Sequence, residues 1–175
     1  MKNDNQSGNV NPALSEELFH KMTEHTNQVY KFVKIYNDYA NAPRDYGTGE
    51  KVNMLSVHIM SDIEEHPGIT VTELAEEWVR TKGSISQVIK NLDENAGRTH
   101  RASDLCSKKP VKEGNNNKNV HLYPTSKGVE LSLAHKMYDA RNLKNTLDFF
   151  TQYCTEEELT AFYKVLGYYT MLLKG

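Results

Sequence analysis

The run Thr81-Lys82-Gly83-Ser84-Ile85-Ser86-Gln87-Val88-Ile89-Lys90-Asn91-Leu92 holds the side chains of this 175-residue chain whose types and spacing best suit chemistry. Ile85, Val88, Ile89 and Leu92 recur at the period of one helix face. Ser84, Ser86, Gln87, Lys90 and Asn91 then share the solvent side. Their chemistry is directional hydrogen bonding: Gln and Asn match adenine edges, Lys the acceptors of guanine, and Ser several bases. Thr81 and Lys82, at the helix start, suit a phosphate backbone lying beside the free N–H groups of the first turn. Gly83 lets that backbone come close. The same pattern describes the polar outer face of any short helix, so the surrounding elements decide between the two.

Upstream, Thr70-Val71-Thr72-Glu73 is a capping-box pattern. It opens a helix over Val71–Val79 with Leu74, Ala75 and Trp78 on one side, and a short turn, Arg80 to Lys82, leads into the polar-faced helix. Two short helices joined this way form a helix-turn-helix pattern. After Asn95-Ala96-Gly97 the helical period is lost. Leu105–Lys109 and Asn119–Tyr123 are expected as short strands, with Pro110–Lys118 as a flexible hairpin tip. Lys108, Lys109, Lys112 and Lys118 lie on or near this hairpin, where they suit phosphates or an adjacent minor groove, contacts that give affinity and register. A solvated lysine loop is the plainer alternative.

Charge is unevenly placed. Residues 80–128 hold ten Lys/Arg against four Asp/Glu, whereas residues 1–79 hold six against thirteen, and the whole chain carries −2. A positive block within an acidic chain can dock a polyanion while the remainder resists indiscriminate binding.

The flanking segments must position this region. The first 13 residues offer almost nothing to bury and read as a disordered tail. Ser15 is a good N-cap for a helix whose stripe is Leu18, Met22, His25, Val29, Phe32, Tyr36 and Tyr39, ending at Asn41-Ala42-Pro43. A loop through Gly49 follows. Val52, Leu55, Ile59 and Ile63 mark a second helix, stopped by His66-Pro67-Gly68. Beyond Thr125, Leu133, Met137, Ala140, Lys144 and Leu147 align on a long helix. A second capping box, Thr155-Glu156-Glu157-Glu158, opens a last helix with Leu159, Phe162, Tyr163, Leu166, Tyr169, Leu172 and Leu173. Seven Tyr or Phe residues lie from Phe149 to Tyr169, more apolar surface than a small DNA-binding lobe can cover. A dimerisation layer buries them, or alternatively an intramolecular bundle.

Several classes of chemistry have no support. No nucleophile elbow, P-loop, HExxH or dinucleotide fingerprint occurs, so no enzymatic activity and no cofactor are expected. No metal site is expected either: the seven His show no close pair, His20 and His25 being five apart, and His58 reads as a core or pocket residue. Cys106 and Cys154 are too few for a disulfide framework or a four-cysteine zinc site. Cys106 lies in a Lys-rich segment able to lower a thiol pKa, yet a small packing side chain is the simpler reading for both. No apolar run reaches the ~18 residues of a membrane span, and the polar start is not a secretory signal. The expectation is a soluble, cytoplasmic protein that makes no use of membranes.

The order helix, helix, helix-turn-helix, basic hairpin and two long helices resembles the MarR family of winged-helix regulators. Glu73-Leu74-Ala75, the Thr81–Leu92 run and Asn119-Val120-His121-Leu122-Tyr123-Pro124-Thr125-Ser126-Lys127-Gly128 carry the likeness, which extends from about Ser15 to Leu173. It implies a mainly α fold with a small β-hairpin wing, flanked by N- and C-terminal dimerisation helices. The division is then a tail at 1–13, a dimerisation helix and loop at 14–50, a winged helix-turn-helix lobe at 51–128, and C-terminal dimerisation helices at 129–175. The resemblance further implies a homodimeric repressor on a pseudo-palindromic double-stranded operator, released by a small aromatic ligand whose pocket residues are not assigned. Two departures stand out. Where the family's wing has Asp and, two residues on, Arg, this chain has Asn116 and Lys118, and Lys lacks the planar fork of Arg. The stretch from Glu94 to Cys106 is longer and more polar than the family's glycine turn. A winged-helix protein-interaction module that has lost DNA binding is the alternative function.

Overall fold

A computed structural model describes residues 16–93, 104–113 and 117–174, with residues 111–113, 117–119 and 174 described by their backbone alone. The expected tail, Asn116 and most of the polar stretch after Asp93 lie outside the described residues. The chain divides into two units, Met1–Ala42 and Pro43–Gly175.

The first unit holds one helix, α1 (Glu16–Asn41), with Glu16 and Glu17 in the first turn and no buried residue. Its expected stripe is present on the surface, with Phe32 stacked on Tyr36 at 5.8 Å and Tyr36 beside Tyr39 at 6.4 Å.

The second unit opens where a loop was expected, with two short antiparallel strands, β1 (Arg44–Asp45) and β2 (Lys51–Val52). The cause is Asp45. Its carboxylate accepts from the N–H groups of Gly47, Thr48 and Gly49 at 2.7, 3.0 and 3.0 Å and folds the turn upon itself. Those backbone donors, Gly47 first, hold the Asp45 carboxyl below its ordinary pKa. Val52 therefore belongs to a strand, and α2 (Met54–Glu65) starts two residues later, capped by Asn53, whose side chain accepts from Ser56 N–H at 2.9 Å. Gly68 ends the following turn at φ +100°, a conformation suited to glycine.

The two helices of the helix-turn-helix are α3 (Val71–Glu77) and α4 (Lys82–Leu92). The capping box of α3 is formed: Glu73 accepts from Thr70 N–H at 2.7 Å, and Glu73 N–H donates back to the Thr70 hydroxyl. This helix stops before Val79, which sits at φ +49°. The hairpin, β3 (Cys106–Glu113) and β4 (Asn117–Pro124), is longer than the expected strands and runs through Pro110, which faces Val120. In a two-stranded ladder every strand is an edge, so a residue without N–H is accommodated.

Two long helices follow, α5 (Ser126–Phe150) and α6 (Glu156–Lys174). Thr125 caps α5, and the expected box at Thr155 and Glu158 closes with bonds of 2.8 and 3.2 Å. The core gathers Val57, Ile59, Met60 and Ile63 of α2, Leu74 of α3, Ile85, Ile89 and Leu92 of α4, Leu105, Leu122 and Leu131, all essentially inaccessible. Each such burial is worth about 1.5–3 kcal/mol, so α4 is held by three of them on one stripe.

Candidate nucleic-acid interface

The start of α4 is fixed by its sequence. Thr81 is the N-cap, its hydroxyl accepting from Ser84 N–H at 3.2 Å, which still leaves the O–H free to donate outward. Ile85, Ile89 and Leu92 are buried and Val88 is half-buried, so the opposite face is set by elimination. Lys82, Ser86, Gln87, Lys90 and Asn91 are exposed, and Ser84 is half-buried. Gln87 Nε2 lies 3.5 Å from Asn91 Oδ1, one turn apart, so the two amides form one polar ridge. Behind this ridge α3 is tied to α2 by Trp78, whose indole N–H donates to Asp62 at 2.6 Å. Arg80 N–H donates to the Ala75 carbonyl at 2.9 Å across the turn.

The hairpin lysines divide. Lys108 lies at the surface but is engaged: its ammonium is 2.7 Å from the Asp93 carboxylate, which is only 8% exposed. That pair joins the end of α4 to the base of the hairpin, where Asp93 also bridges Cys106. Lys109 is exposed and lies over the Tyr123 ring at 4.5 Å. The backbones of Lys112 and Lys118 pair directly across the hairpin. Cys106 is fully buried, as a packing residue would be.

The Asp93–Lys108 pair separates two roles for hairpin lysines. We predict that Lys108→Ala destabilises the fold by about 1–2 kcal/mol, less than the cost of breaking a fully buried pair because the lysine is partly exposed. Urea denaturation checks this. The slope of log affinity against log salt should be unchanged by it if Lys108 touches no phosphate.

Sequence reasoning missed two groups lying between α2 and α5. In the first, Lys136 reaches Glu64 at 2.6 Å and Glu65 at 2.8 Å, and Ser132 bonds to both Ser61 and Glu64. The hydrogen bond from Lys136 holds the Glu64 carboxyl low, and that to Glu64 holds the Lys136 ammonium high. In the second, the expectation of no close histidine pair is corrected: His58 of α2 and His135 of α5 meet edge to face, 4.5 Å between centroids. His135 is buried, its Nε2 3.1 Å from Asp139. Burial pushes the His135 imidazole pKa down against the pull of Asp139. The partners stand on separate helices far apart in the chain, so no spacing signal connects them. This trio is the one group of histidine and acidic donors among the described residues placed to share a metal ion.

A sequence model of the MarR family matches residues 52–95, which span α2, α3 and α4. Over that stretch the chain is similar to the MarR family. An uncharacterised HTH-type transcriptional regulator of Bacillus subtilis, YhjH, is 26% identical over 148 residues, covering 85% of this chain and 78% of that protein. Among solved structures, Lactococcus lactis ZitR in complex with DNA is similar at TM-score 0.58 and 18% identity, over 85% of this chain and 97% of that one. Streptococcus pneumoniae FabT in complex with DNA follows at 0.55 and 19%, over 89% and 97%. At such identities these two likenesses establish the MarR winged-helix fold and not its particular contacts.

Proposed function

We propose that this protein is a homodimeric, sequence-specific repressor that reads a pseudo-palindromic operator with α4 and is released by a small ligand. The observation that carries the reading is the α4 ridge. Ser86, Gln87, Lys90 and Asn91 project from a helix whose other face is buried and whose start is capped, so base-reading groups are held on a rigid element. ZitR and FabT, both similar in fold, have been crystallised on DNA. A two-fold dimer presents two such helices to successive major grooves ~34 Å apart. Repression follows from occupancy of DNA that polymerase needs. A small aromatic ligand relieves it to the extent that it binds better to a dimer whose helix spacing misfits the operator.

The test is fluorescence anisotropy with the DNA upstream of the protein's own gene against a scrambled duplex, across a salt series. Tight, salt-sensitive preference for the native fragment is expected. Gln87→Ala should cut discrimination at one base pair by about 1–3 kcal/mol, whereas Lys109→Ala should weaken all duplexes alike and lower the salt slope by about 1. A Gln87→Ala protein with unaltered preference across operator variants would remove α4 from the reading role. No retention on DNA at low salt, together with a stoichiometric protein partner, would turn the reading into that of a protein-interaction module.

A further inference from the structure

We propose that Val79, in the turn between α3 and α4, is a specificity-determining residue that reads the methyl group of a thymine beside the α4 contacts. This role rests on the reading of α4 as the DNA-contacting helix. Val79 sits at φ +49°, in the left-handed region, one of two residues other than glycine to do so among the described residues. A branched Cβ is poorly suited to that region, which glycine enters freely. The turn itself enforces the conformation. Val79 N–H donates to the Glu76 carbonyl at 3.2 Å and Arg80 N–H to the Ala75 carbonyl at 2.9 Å, the pair of bonds that closes a helix through a left-handed residue. Glycine would form both bonds without the strain.

Valine adds little to the interior in return. Its side chain is 69% exposed, while Leu74 and Ala75 of α3 and Ile85 of α4 supply the buried apolar groups on either side of the turn. A lone exposed apolar residue is ordinary, but one held out at a strained position has its use outside the chain. Its neighbours indicate what it meets. Val79 lines an open groove with Arg80, Thr81 and Lys82, and it precedes the N-cap of α4 by only two residues. Arg80 and Lys82 are exposed and suit the phosphates that border a major groove. Glu76 lines the same groove, so its charge is mixed and it does not gather a phosphate by itself. For an isopropyl group set among these residues, the matching feature of a major-groove edge is the C5-methyl of thymine.

The experiment is a deoxyuridine scan. The full chain selects its best duplex from a randomised pool, and each thymine of that duplex is replaced singly by deoxyuridine, which lacks only the methyl group. Fluorescence anisotropy then reads the affinity of the parent, Val79→Gly and Val79→Ala for every duplex. At one thymine position the parent should lose about 4-fold, the worth of one buried methyl group. Both variants should bind the thymine and deoxyuridine forms of that position equally and keep the parent's penalties elsewhere. Val79→Gly, relieved of strain, should melt no lower than the parent, which separates this loss from a loss of fold. Val79→Ala keeps a Cβ at the strained φ, so the same loss there assigns the effect to the isopropyl group and not to the backbone. The proposal is overturned if no position shows a penalty that both variants abolish, if Val79→Gly alone abolishes it, or if Val79→Gly melts lower than the parent. Selection of no duplex at all would remove α4 from the reading role, and Val79 with it.

Discussion

Gly128→Ala lowers the melting temperature by roughly 6–12 °C, the equivalent of about 3 kcal/mol in a chain of this size. A methyl group built on Gly128 meets the Leu105 carbonyl oxygen at 2.1 Å and Met60 Cε at 3.0 Å. The methionine can move, but the carbonyl cannot. It accepts from Thr125 N–H at 3.1 Å and from the Thr125 hydroxyl at 3.1 Å, while the Leu105 N–H donates to the last carbonyl of α4 at 2.8 Å. Relief of the clash has to break one of these bonds or shift the start of α5. Gly167→Ala is the control, because a methyl group there meets nothing within 4 Å and alanine favours the helix. Thermal denaturation of the two variants decides the matter, and an unchanged midpoint for Gly128→Ala would show that the contact is not as close as described.

Leu166→Glu separates the proposed dimer and, with it, tight binding to a two-part operator. On α6, Phe162, Tyr163, Leu166, Tyr169, Leu172 and Leu173 are all at least 44% exposed within a single chain. An apolar surface so continuous along one helix marks a face suited to a partner. Two linked reading helices gain about 10²–10⁴ in affinity over one through effective concentration alone. The variant should therefore sediment as a monomer and lose that factor on the palindrome while its half-site affinity stays as it was. Persistence of a dimer would place the interface away from α6.

The elements that the sequence made plain are those whose signals are local. The boxes at Thr70 and Thr155 and the stripe Ile85, Ile89, Leu92 each need only neighbouring residues, and each is present in the structure. The turn at Asp45 was not legible, because two-residue strands are too short to alternate and an Asp with two glycines reads as any loop. The extension of the hairpin past Pro110 was hidden by a rule that holds for central strands and not for edges. In the interface, the exposure of Gln87 and Asn91 follows from periodicity. The engagement of Lys108 by Asp93 depends on the α4–hairpin junction, and one lysine in a basic run looks like another. The meeting of His58 with His135 is likewise a product of α2 packing on α5, a contact that periodicity within either helix does not encode.

Leu105 gives the lobe a fulcrum. Its backbone N–H is bonded to the end of α4, its carbonyl to the cap of α5, and its side chain is fully buried. The hairpin beyond it is a lever with its pivot at the junction of the reading helix and the long helix. We predict that a displacement of α5 carries α4 and the hairpin with it as one rotation. If α4 and the hairpin hold DNA as proposed, their contacts should then be lost in a single kinetic phase when DNA is released.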